Sequence, residues 1–315
     1  MRNLRVAVLV SLLVVLAAAC GTQSTGQGAG GTNSGTTQAE KPLTGSAEDF
    51  GRARFDDPTR IDNKWFPLTP GTRFIYEGSS IVDDGLREEH SIVVNVTDLT
   101  KVIDGVRTLI VYDEDCHAGQ LLEPEVRFHA QDNAGNVWYF GEYREDYEDG
   151  ELEEPRAWVP DQKGARAGIS MPANPRKDAP GYAQGFAPPP VNWVDRARVY
   201  KMGQKTCVPV GCYENTLIND EFERSKPGSY QLKYYAPGVG NVRVGWRGTK
   251  EEEKETLELV EYKRLSPEAL AKVRKTAMAL DRRGYDPGQV GDFWRYTREV
   301  YSHTQPAKHT LKASQ

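Results

Sequence analysis

Between Thr72 and Arg264 apolar and polar residues alternate in short runs, each closed by Gly, Asp, Asn or Pro. Thr72–Gly78, His90–Thr97, Val106–Tyr112, Glu125–Ala130 and Asn136–Gly141 form a first series, and Tyr213–Ile218, Tyr230–Tyr235, Val242–Trp246 and Thr256–Tyr262 a second. A period of two, rich in β-branched and aromatic residues, predicts antiparallel strands. The connections are mostly too short for crossover helices, which argues against a parallel sheet. About ten or more such strands predict a mainly β fold, an antiparallel barrel or half-barrel, because a flat open sheet of that size leaves reactive edges. Residues 160–192 interrupt the pattern with Pro172, Pro175, Pro180 and Pro188-Pro189-Pro190. That stretch predicts a long irregular loop, suited to cover one barrel end. Past Leu265, Ser266-Pro267-Glu268 is a helix start with Ser as N-cap, and Leu270, Val273, Ala277 and Leu280 recur at helical spacing. A second short helix is expected from Val290 to Tyr301, completing a C-terminal helical extension.

The amino terminus says where such a fold would reside. Arg2 and Arg5 precede an apolar run from Val6 to Leu16, which is followed by Ala17-Ala18-Ala19-Cys20. This is the layout of a secretory signal, and the run is shorter than the ~20 residues of a transmembrane helix. Small residues ending at a cysteine resemble the lipobox of bacterial lipoproteins. That resemblance implies cleavage before Cys20, acylation of Cys20, and anchorage by lipid on the extracytoplasmic face of the cell membrane. Gly, Ser, Thr, Gln, Ala and Asn then dominate as far as residue 46, as in a flexible tether. The chain therefore divides into a signal (1–19), a lipidated Cys20 with linker (20–49), an antiparallel β domain (50–265) and a basic helical extension (266–315).

Export puts Cys116, Cys207 and Cys212 in an oxidising compartment. Cys207 and Cys212 flank a four-residue turn and are candidates for a local disulfide; pairing of either with Cys116 would instead join distant strands. Zinc spacing is absent, and no metal or cofactor is expected.

Four segments carry a second resemblance. Ile61–Gly78, Gly135–Glu142, Gly168–Ala173 and Tyr234–Gly240 are similar, in that order, to landmarks of a widespread uncharacterised family of exported bacterial β-proteins. The likeness spans about residues 55–262 and implies no activity. The Tyr235-Ala236-Pro237-Gly238-Val239-Gly240 element also resembles β-proteins related in fold to the LolA-type lipoprotein carriers. That fold, a half-barrel closed by a helix, implies an acyl chain or other apolar ligand. On this reading Phe74, Tyr76, Trp138, Phe140, Tyr234 and Trp246 would line a ligand cavity; the same side chains could equally fill a dry core.

Catalytic patterns are missing. His90, His117, His129, His303 and His309 lie in no nucleophile motif, and no phosphate loop or His-Glu-x-x-His segment is present. His90 and His129 fall in strands, where a structural role is expected. Glu142–Glu154, with eight acids around Asp149-Gly150, predicts a solvated hairpin tip. Without the signal the chain has 38 basic and 45 acidic side chains; residues 50–262 carry −11 and residues 263–315 carry +6. The basic extension would dock on the acidic body, or touch anionic lipid or wall polymer. Nucleic acid is not an expected partner. The expectation is a lipid-anchored binding or carrier protein without catalysis, its ligand apolar or lipid, or else a non-catalytic envelope scaffold. An enzyme acting on envelope polymers would require a cleft holding two carboxylates with raised pKa values.

Overall fold

Two-residue turns set the register of the first half of the molecule. The computed structural model describes residues 50–81, 85–160, 164–252, 254–284 and 305–306. Its strands are β1 (Thr72–Ile81), β2 (Arg87–Ile103), β3 (Val106–His117), β4 (Gln120–Gln131), β5 (Val137–Glu148), β6 (Glu151–Trp158) and β7 (Arg166–Met171). There follow β8 (Tyr182–Ala183), β9 (Gly185–Phe186), β10 (Arg196–Val208), β11 (Gly211–Phe222), β12 (Tyr230–Ala236), β13 (Gly240–Arg247), β14 (Thr256–Arg264), helix α1 (Pro267–Arg283) and β15 (Gln305–Pro306). Asp104-Gly105, Ala118-Gly119 and Asp149-Gly150 have positive φ at both positions, the turn geometry that matches the twist of a hairpin. The signal, Cys20, the linker, the expected helix over 290–301, His303 and His309 lie outside the described residues.

All pairings are antiparallel, in the order β8-β10-β11-β12-β13-β14-β1-β2-β3-β4-β5-β7-β9, with β6 on β5 and β15 on β2. Of the expected barrel or half-barrel, the barrel does not close: this is one large antiparallel sheet whose hydrogen bonding has two ends. Those ends are β8 and β9, which flank the single residue Gln184. One short piece of chain thus occupies both edges, and two-residue strands cannot extend the ladder across the remaining gap. The proline-rich stretch is not wholly irregular either, because β7, β8 and β9 lie inside it. Flanking prolines hide the strand-forming run Gly168-Ile169-Ser170-Met171.

Alternation along the strands gives, beside a small apolar cluster around Tyr139 and Trp158, two large ones. One contains Phe74, Tyr76, Val96, Val111, Tyr235 and Leu257 together with Trp65 and Leu68 from the segment before β1. The other contains Ile110, Val126, Phe128, Trp138 and Phe140 beneath Val273, Ala277 and Leu280 of α1. Ser266 caps α1, its hydroxyl accepting from the Ala269 N–H at 3.2 Å. The helix docks on the body through charge as well. Arg274 Nε lies 2.9 Å from Asp98, Arg283 Nε 2.8 Å from Glu145, and the buried Lys101 Nζ 2.6 Å from Asp281. Burial pushes the Lys101 pKa down to about 7, against the pull of Asp281.

The four landmark segments meet. Asn63 Nδ2 donates to the carbonyls of Gly135 (2.9 Å) and Pro172 (3.2 Å), and its Oδ1 accepts from the Trp65 N–H at 2.8 Å. The Gly238 N–H reaches the Lys64 carbonyl at 2.7 Å. These contacts hold Phe66, Pro67 and Leu68 against one part of the cavity described below.

Candidate functional site

A cavity of about 350 Å³ lies on the face of the sheet opposite α1. Its most polar wall is built by period-two placement on three neighbouring strands. Asp113 and Asp115 of β3, Glu123, Glu125 and Arg127 of β4, and Glu142 and Arg144 of β5 all face it. They stand in register: Asp113 opposite Glu125, Asp115 opposite Glu123, Glu125 opposite Arg144, and Arg127 opposite Glu142.

One residue makes that wall possible. On β5 Tyr139 faces the cavity and Phe140 faces away, so strict alternation would send Glu142 and Arg144 away too. The register between Arg127–Glu142 and His129–Tyr139 spans two residues on β4 and three on β5. Gly141, at φ +94°, belongs to that extra step. The bulge changes the parity of everything after it.

Seven carboxylates line the cavity, those above with Asp195 and Glu221, against three cations, Arg127, Arg144 and Lys233. Arg127 pairs with Asp113, and Arg144 Nη1 with Glu123 at 3.0 Å. Arg127 Nε and Glu125 Oε1 are 3.2 Å apart but poorly aligned; neither atom, nor Asp113 Oδ1, has a hydrogen-bond partner among the described residues. Burial, with neighbouring acids, pushes Asp113 up to about 6, Glu123 to about 7 and Asp195 to about 7. Glu125 and Glu142 are raised for the same reasons. Five carboxyls with raised pKa therefore share this cavity. His129 is held neutral by burial and by Arg127, with Ser170 Oγ 3.2 Å from its Nδ1 and Tyr139 stacked at 5.1 Å.

A second cluster borders the first at Asp115. His90 and His117 face each other across β2 and β3, their ring centroids 4.1 Å apart. His90 Nε2 is 2.8 Å from Asp115 Oδ1. Burial opposes charge on His90, but Asp115 and Glu255 outweigh it and its pKa is raised; His117, desolvated and beside His90, is lowered.

The sequence-derived candidates separate. Phe74 and Tyr76 line the cavity, and the Tyr76 hydroxyl donates to the Asn241 carbonyl at 2.8 Å. Trp138 and Phe140 do not: they lie on the helix-covered face, each with a ring centroid 5.5 Å from that of Phe50. Tyr234 packs beside the cavity-face cluster without lining the cavity, and its neighbour Tyr235 lines it instead. A register shift falls between the two tyrosines. Trp246 is 38% exposed, with Lys254 over its ring. Cys207 and Cys212 are opposed across β10 and β11 and form a disulfide, while Cys116 is a free thiol. Glu142–Glu154 is not simply a solvated tip: Glu142 and Glu145 are buried, and Asp149-Gly150 is its exposed turn. The charged wall was missed although its signal was present. Asp113 and Asp115, then Glu123, Glu125 and Arg127, occupy alternate positions, but the expected strands stop at Tyr112 and start at Glu125, short of Asp113, Asp115 and Glu123.

No protein-family model and no curated protein matches the chain. Two solved structures resemble it. One is provisionally described as an exported protein with YmcC-like fold from Bacteroides fragilis (14% identity, TM-score 0.37). The other is provisionally described as a lipoprotein from Parabacteroides distasonis (13% identity, TM-score 0.34). Each alignment covers 64% of this chain and 100% of the other.

Proposed function

We propose that this chain is a lipid-anchored, extracytoplasmic binding protein without catalytic activity, whose curled sheet holds a small organic cation. The excess of carboxylates over cations in one cavity supports this reading above all. An acyl chain would bury against ion-paired groups several of whose atoms make no hydrogen bond among the described residues, at a cost of roughly 1–3 kcal/mol for each one left unsatisfied. A cation would supply the missing hydrogen bonds and charge, and Tyr139 and Trp193 offer π faces beside the acids. The cavity falls within the usual range for small ligands, about 300–1,000 Å³. Export is supported by the signal-like amino terminus and by the Cys207–Cys212 bridge, which suits an oxidising compartment. Replacing Cys20 by serine should abolish incorporation of labelled palmitate and release the protein from membranes; retention would sink the anchoring.

Titration calorimetry with the diamine putrescine should give one site per chain, weakened at least about tenfold in Asp195→Asn, a loss of one charge-assisted contact. Binding of laurate with no response to diamines would overturn the ligand class. The same variant reports on stability. Asp195 has a folded pKa of about 7, above the ~3.9 of an unfolded aspartate, so the native state holds the extra proton between the two values. The group's contribution to stability is therefore present at about pH 4 and is lost as the pH rises towards 7. Asp195→Asn should raise the unfolding midpoint at pH 7 by about 2–8 °C, from about 1–2 kcal/mol after allowance for solvent screening. The gain should fade as the pH falls to about 4.

A glycan hydrolase is the second reading, favoured by the paired raised carboxyls. Release of reducing ends from cell-wall polysaccharide, lost in Glu123→Gln, would establish it in place of binding alone.

A further inference from the structure

We infer that His90, Asp115 and His117 form a binding site for a divalent transition-metal ion, with zinc as the representative. The ligand atoms are already gathered. His90 and His117 are cross-strand partners, and Asp115 lies two residues before His117, on the same face of β3. Asp115 Oδ1 is 2.8 Å from His90 Nε2 and 3.6 Å from His117 Nε2, and the three ligating atoms lie within 4.8 Å of one another. A zinc ion takes nitrogen and oxygen ligands at about 2.0–2.2 Å, so small side-chain rotations bring all three to one centre.

The far side of each ring strengthens the assignment. His90 Nδ1 is 2.8 Å from Ser80 Oγ and 3.4 Å from Glu255, and His117 Nδ1 is 4.0 Å from Glu88. Both imidazoles thus turn Nε2 towards Asp115 and Nδ1 towards a carboxylate. In metal-bound histidines an outer acceptor fixes the N–H on Nδ1 and leaves the Nε2 lone pair for the ion. Ser80 Oγ stands at that place for His90, and Glu88 is the carboxylate on that side of His117. Two imidazoles and a carboxylate select borderline ions such as zinc, cobalt or nickel over calcium and magnesium. The Asp115 and His117 side chains are each 23% exposed, which leaves an approach for the ion and room for a water as a further ligand. The inference does not depend on the cation-binding reading of the cavity. Two of its three ligands, the imidazoles, do not line that cavity, and Asp115 is the residue the two sites share.

The test uses the full chain in detergent, titrated with cobalt(II) chloride and zinc chloride. We expect one ion per chain, the visible bands of low-coordinate cobalt, and two strongly shifted exchangeable proton resonances from the two Nδ1–H groups. His90→Gln and His117→Gln should each weaken zinc binding by more than about a hundredfold, Glu255→Gln by about ten- to a hundredfold, and Cys116→Ser should leave it unchanged. Zinc should also raise the unfolding midpoint of the parent chain and not of the histidine variants. If a variant fails to fold, the cobalt spectrum of the parent decides. Fewer than two shifted imidazole protons, no saturable binding, or binding as tight in His117→Gln as in the parent would overturn the site.

Discussion

Gly141→Ala should destabilise the domain by about 3 kcal/mol or more, enough to lower the urea midpoint markedly, and should abolish putrescine binding. A Cβ at this position would stand 1.9 Å from the Trp158 carbonyl oxygen on β6, and φ is +94°. Strained backbone costs about 1–3 kcal/mol and forced overpacking about as much again. The cheapest escape removes the bulge, which returns β5 to strict alternation. Glu142 and Arg144 would then turn from the cavity into the apolar layer under α1, and Tyr143 would turn inwards. Binding should thus fail even where the variant remains folded. A variant within about 1 kcal/mol of the parent that still binds would show that the bulge does not build the wall.

Asp281→Ala is the second substitution with a large expected effect, about 3–5 kcal/mol in urea unfolding at pH 7, the usual cost of removing one partner from a buried ion pair. Asp281 is the carboxylate 2.6 Å from Lys101 Nζ, and Lys101 is wholly buried under α1. Lys101 has a folded pKa of about 7, far below the ~10.4 of an unfolded lysine. The native state has lost this proton between those values, so stability from this group rises with pH across that window. Removing Asp281 takes away its upward pull on Lys101 and lowers the lysine pKa further. The deficit in Asp281→Ala should therefore grow as the pH falls below about 7 and level off above it, where both chains hold the lysine neutral. Replacing both residues together, Lys101→Met with Asp281→Leu, should restore most of the loss, since a well-packed apolar pair is often as stable as the ion pair. A single variant that is no less stable than the parent would show that this pair does not secure the helix.

Much of this architecture is legible in the residues. The period-two runs predict the strands, Ser266-Pro267 marks the start of α1, and the spacing of Cys207 and Cys212 suits the observed bridge. The opposite charges of body and extension anticipate Arg274 on Asp98 and Arg283 on Glu145. What fails is the identity of the inward face. Trp138 and Phe140 are more apolar than Glu142 and Arg144, so a reading by hydrophobicity puts the aromatics inside. This sheet has two buried faces, and the drier one lies under the helix. A bulge shifts parity without altering composition, which is why Gly141 looks like an ordinary strand end. His90 and His117 are distant in sequence and meet only through the pairing of β2 with β3.

The sheet has two long unpaired flanks among the described residues, and neither invites a neighbour. β6 pairs only with β5, and it carries Pro155, which has no N–H to offer, beside Glu151 and Glu153. β10 meets β8 only at Arg196 and Ala197, and beyond them its ladder is broken by three register irregularities near Lys201 and Lys205. Proline, charge and bulging are the usual defences against strand addition. Copies of this chain would thus stay separate rather than stack edge to edge through these flanks, and a partner that docks by donating a β-strand would find no template on either of them.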